Sequence, residues 1–177
     1  MRARGVLIAA VAGMLTLGTA LPASADTTGG TPATVTVTGG FLSITVPADA
    51  GSLGTRGNTV GGGIISGSLG QVQVEDARSA AAGSGWVTSV ISSAFTPTSG
   101  PALAASQVGY SAGAITKVGT ATYVANNPAD LTGVAPAVTA TGITGDNSAT
   151  WNPTINVSVP GGTVAGTYSA VITHSVL

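Results

Sequence analysis

From residue 33 onward, β-branched runs alternate with clusters of Gly, Pro, Asn and Asp, and glycine interrupts every candidate helix. No window of about 12 residues carries an apolar period of 3.6, so an amphipathic helix has no basis here. What such a chain can form is a series of short strands separated by turns. Val35, Val37, Leu42, Ile44 and Val46 alternate with Thr and Ser around Thr38-Gly39-Gly40, which predicts a hairpin. Further strands are expected at 71–75, 86–91, 107–111, 115–123, 137–141, 154–159 and 167–174. Residues 51–70 are glycine-rich and hold Gly-Ser-Leu-Gly twice, at Gly51 and Gly67, too few copies for a repeat protein. Some eight to nine strands at roughly ten-residue spacing predict an all-β fold, an antiparallel β-sandwich with Greek-key-like connections. It is expected to occupy residues 33–177 as one domain. With only 4% aromatic residues, its core must be mostly Val, Ile, Leu and Ala.

The N-terminus has a different character. Arg2 and Arg4 precede an uncharged apolar stretch from Val6 to Leu17, and Leu21-Pro22 leads into Ala23-Ser24-Ala25. A positive start, an apolar middle and a small-x-small site form a secretory signal peptide, residues 1–25, cleaved before Asp26. Residues 26–32 are then a short polar lead-in. No later stretch approaches the roughly 18 apolar residues that a membrane span requires, so no integral membrane segment is expected after cleavage. The protein is therefore expected to be secreted, extracellular or associated with the cell wall.

Charge narrows the functions further. Only 6% of residues are charged, where about 25% is usual. Beyond the signal, three bases (Arg56, Arg78 and Lys117) face six acids, which leaves no basic footprint for nucleic acid or anionic lipid. The chain has no cysteine, so neither disulfides, thiol catalysis nor cysteine–metal sites are available. The single histidine, His174, cannot build a multi-histidine metal centre. No metal site and no cofactor are expected.

Gly109-Tyr110-Ser111-Ala112-Gly113 matches the G-x-S-x-G nucleophile elbow, with Asp130, Asp146 and His174 following in hydrolase order. The chemistry needs Ser111 on a strained strand-to-helix turn, yet no helix-forming run follows. A glycosidase pair could come only from Glu75, Asp76, Asp130 or Asp146; Glu75 and Asp76, adjacent on a strand, should point to opposite faces, and nothing in the spacing selects two of the four. Asp146-Asn147 reads as a turn built by Asx side chains rather than as a calcium loop. The chain is expected not to be an enzyme. The distinctive residues are Asp76-Ala77-Arg78 shortly before Gly85-Trp86, where acid and base stand two apart in a chain with few charges. Trp86 reads more readily as core than as a ligand platform. Trp151, within a loop-like neighbourhood, is placed to cover an edge or stack on a sugar ring.

Two stretches resemble the WxL-type cell-wall-binding domain of Gram-positive bacteria. Val72-Gln73-Val74-Glu75-Asp76-Ala77-Arg78 and then Gly85-Trp86-Val87-Thr88 look like that family's strand, D-x-R element and G-W-x-L motif. Ile155-Asn156-Val157-Ser158-Val159-Pro160, Gly166-Thr167-Tyr168 and Ile172-Thr173-His174-Ser175-Val176 look like its closing hairpin. Thr88 stands where the first motif has Leu, and His174 and Val176 where the second has Trp and Leu, so the likeness is to a divergent relative of actinobacterial type. The resemblance implies a β-sandwich and a secreted, non-catalytic cell-surface domain that binds peptidoglycan or another wall polymer non-covalently. Its candidate binding residues are Asp76, Arg78 and Trp86, acting together near one end of the sandwich; Trp151 is a further, separate candidate. The competing expectation is a self-associating surface coat or adhesive protein, whose partner is itself or another surface protein. Low charge and Thr-rich strands favour it through strand addition at unpaired edges.

Overall fold

The computed structural model describes residues 30–177. The expected signal peptide, residues 1–25, and the start of the lead-in lie outside them. A compact unit runs from Val37 to Leu177. It is nearly all β: ten strands and a single 3-10 turn at Ala105–Gln107. The strands are β1 (Leu42–Thr45), β2 (Gly63–Ser68), β3 (Val72–Ser92), β4 (Thr96–Pro97), β5 (Val108–Ser111), β6 (Ile115–Ala125), β7 (Ala135–Trp151), β8 (Thr154–Val159), β9 (Tyr168–Ser169) and β10 (Ile172–Val176).

All pairings are antiparallel, and the sheets pack as a sandwich, as expected. One sheet runs β1-β3-β7-β6, with β10 on the same edge of β3 as an end-to-end neighbour of β1. The other runs β2-β8-β5, and β4 pairs with β9. Neighbours are mostly non-consecutive, since the chain crosses between sheets before returning. Strand alternation buries Val72, Val74, Val108, Tyr110, Ile155 and Val157, which with Trp86, Val90, Leu131, Val138, Ile143 and Trp151 form one core.

Four sequence expectations change. The hairpin around Gly39 does not form: residues 30–41 hold no strand, and Val35 and Val37 are exposed. β1 pairs instead with β3, and Phe41 O accepts from Ala77 N–H at 3.1 Å, so the pairing is long-range. β2 arises within the glycine-rich stretch, where its ladder to β8 supplies what local propensity lacks. The strands expected at 71–75 and 86–91 are one strand of 21 residues, with register shifts against β7 that absorb the spacer. The strand expected at 167–174 divides into β9 and β10, each serving a different partner.

Glycine marks the two closest approaches along this bulged ladder. A Cβ on Gly85 would stand 2.6 Å from Ala140 O. Gly119 combines a φ of +86° with a Cβ position 2.6 Å from Asp146 O, and it lies at a register shift between β6 and β7.

Candidate functional site

The residues singled out in the sequence converge on the bulged part of β3. Inward alternation carries Asp76 to the core side, with its side chain fully buried, while Glu75 faces out. A buried carboxylate is tolerable only if paired and hydrogen-bonded. Arg78 supplies the pairing, donating from Nε to Asp76 Oδ1 at 2.8 Å and from Nη2 to Oδ2 at 3.0 Å. The backbone N–H of Arg78 also donates to Oδ1 at 3.2 Å, and Asn147 Nδ2 donates to Oδ2 at 3.2 Å. Four donors thus meet about four lone-pair sites. The Arg78 guanidinium holds the carboxyl below its ordinary value of 3.8, against the opposing effect of burial.

Asn147 ties the carboxylate to two aromatic rings. Its Oδ1 accepts from Trp86 Nε1–H at 3.0 Å and from Tyr123 Oη–H at 3.1 Å. The two rings lie 5.6 Å apart, tilted by 55°. Lys117 Nζ stands 5.9 Å from the centre of the Tyr123 ring. Ser79 holds a left-handed φ of 54°, and its N–H donates to Asp146 Oδ1 at 2.9 Å. Asp146 and Asn147 are therefore residues of β7 and form no Asx turn, because pairing with β3 and β6 recruits them into the ladder.

Asp76, Arg78 and Trp86 are thus brought together around the bulged middle of β3. Trp86 is only 2% exposed and offers no face to a ligand. What reaches solvent is the Arg78 side chain, 38% exposed, the half-buried Tyr123 and the exposed Lys117. Tyr123, Asn147 and Lys117 were not singled out in the sequence. The only signal for Tyr123 was its place on a strand near Lys117, and Asn147 carried the composition of a turn.

Trp151 belongs elsewhere. It ends β7 rather than lying in a loop, is 2% exposed, and donates from Nε1 to Tyr110 Oη at 2.8 Å. His174 Nε2 lies 3.2 Å from the same hydroxyl, with the two rings edge-on and 5.6 Å apart. Burial lowers the imidazole from 6.5 to about 4 and pushes the Tyr110 hydroxyl up to about 12, so both are neutral at pH 7. His174 Nδ1 is buried without a hydrogen-bond partner. The G-x-S-x-G stretch is no elbow: Ser111 ends β5 and the chain continues into β6. His174 contacts Tyr110 rather than Ser111, while Asp130 and Asp146 accept from the backbone of Thr132 and Ser79.

Among the described residues no cluster of three His, Cys, Asp or Glu is placed to hold a metal ion, and no helix is long and apolar enough to cross a membrane. No family model, no curated protein and no solved structure matches the chain.

Proposed function

We propose that this protein is a secreted, non-catalytic binding domain of the cell surface, a divergent WxL-like module that engages peptidoglycan non-covalently. The observation that supports this reading is the placement of charge. Of the three bases beyond residue 25, Lys117 stands beside the Tyr123 ring, and Arg78 connects to it through Asp76 and Asn147. A half-buried phenol ring with a cation beside it suits a polymer of sugar rings and peptide carboxylates. The ring covers apolar sugar faces, and Lys117 meets acidic groups. Buried Asp76 and Asn147 fix the geometry from behind.

The test is sedimentation of the secreted chain with purified peptidoglycan, with thermal melting measured in parallel. Lys117→Gln should lower retention by up to about fivefold, the range of one exposed ion pair with a peptide carboxylate, with melting nearly unchanged. Trp86→Ala should lose fold and binding together, because its ring is core. Equal retention with and without peptidoglycan would end this reading. A second reading, a self-associating surface coat, is favoured by Val35, Val37 and Phe41, which are 91%, 85% and 86% exposed.

A further inference from the structure

Residues 33–38, Ala-Thr-Val-Thr-Val-Thr, have the alternation and β-branching of a strand, yet they form none. The neighbouring ladder shows why the pattern stops short. β1 pairs with β3 from Thr45 back to Leu42, and Phe41 and Gly40 extend the pairing to Ala77. Beyond that point β3 is bulged, with register shifts on both sides of Ala80 and a left-handed Ser79, so its edge offers no straight ladder. A strand-forming sequence is left with its valines in water.

The molecule also carries an edge of complementary kind. β6 closes the five-stranded sheet, and its outer side has no strand partner among the described residues. Its first half carries Lys117, the sort of charge that guards an edge. Its second half, Thr122–Ala125, is uncharged, holds unbroken register with β7 and exposes Val124 to 51%. At the sheet's other edge, β1 and β10 are only four and five residues long.

We propose that residues 33–38 of one copy add as a strand to the Thr122–Ala125 edge of a second copy. The main chain supplies the hydrogen bonds, and Val35 and Val37 pack beside Val124. Donor and acceptor are different surfaces, so the contact is heterologous and propagates head to tail into open chains. The partner is this protein itself, and the inference deepens the self-association reading without depending on any glycan.

The chain has no cysteine, so introduced thiols report unambiguously. Val37→Cys and Val124→Cys variants, mixed under mild oxidation, should give a mixed disulfide, since paired strands hold Cα atoms within disulfide range. Val124→Cys alone should stay uncrosslinked; if it dimerises as readily as the mixture, the edges pair with each other and the donor role is wrong. In sedimentation without peptidoglycan, wild-type mass should rise with concentration beyond a dimer. Val37→Pro, which removes an N–H at an exposed position, should weaken association at least tenfold with melting unchanged. Val124→Lys should act likewise from the acceptor side. Wild type that stays monomeric at its highest soluble concentration, or association untouched by both variants, would refute strand donation. Peptidoglycan retention is scored separately, so either reading can fail alone.

Discussion

Trp86 and Trp151 are equally buried, and each gives its indole N–H to a buried oxygen, yet their surroundings are built on opposite principles. Behind Trp86 stand an amide, a carboxylate with its acceptor sites filled, and an arginine that reaches water. Behind Trp151 stand a neutral phenol and a neutral imidazole with one nitrogen unpartnered. The core thus accepts a full charge where the network has an outlet to solvent. Where the hydrogen-bond chain ends inside, it holds only neutral groups. The first arrangement fixes a surface; the second fills space.

The largest effects belong to the two indole rings. Trp86→Ala and Trp151→Ala should each cost about 3–5 kcal/mol in urea unfolding, because both remove a fully packed indole. If one costs less than about 1 kcal/mol, that ring is not the core residue described. Next in size is Asn147→Leu. It strips a partner from Trp86, Tyr123 and Asp76 together and should cost about 2–4 kcal/mol. A neutral result would mean that the network does not hold the site.

Titration separates the two regions further. The folded imidazole, at about 4, lies below its ordinary 6.5, so its contribution to stability is complete above pH 6.5 and fades as pH falls towards 4. For a ring still partly wet, the loss should be roughly 2 kcal/mol. His174→Phe should flatten that part of a stability–pH profile. The fall below pH 3.8, where lowered Asp76 takes up its proton, should survive. Unchanged pH dependence in His174→Phe would contradict a buried neutral histidine. The smallest effect belongs to Tyr110→Phe, about 1–2 kcal/mol for one lost hydroxyl. A cost equal to that of Asn147→Leu would erase the distinction between the regions.

The sequence carried the fold class because alternation is local: Val72, Val74, Ile155 and Val157 announce their inward face without knowing their partners. Register is not local. Continuity of β3 through residues 77–85 depends on shifts against β7, and a spacer of Ala, Ser and Gly has the composition of a loop. Asp76 and Arg78 were legible as a pair because they stand two positions apart on one chain. Asn147 and Tyr123 complete the same site from other strands, and Gly145–Ser148 looks like a turn until pairing draws it straight. Trp151 was misplaced for the same reason.

The N-terminal end of the β1 segment and the C-terminal end of the β10 segment meet the same edge of the same strand. Phe41 O accepts from Ala77 N–H at 3.1 Å, and Leu177 exchanges two hydrogen bonds with Val87 at 2.9 and 3.1 Å. β1 and β10 run outward from those points, in register with opposite ends of β3. Tension applied between the two ends would therefore peel each short strand one residue at a time instead of shearing a whole ladder. The same placement suits circular permutation, since a short linker could join Leu177 to Phe41 at little loop-closure cost and new ends could open elsewhere.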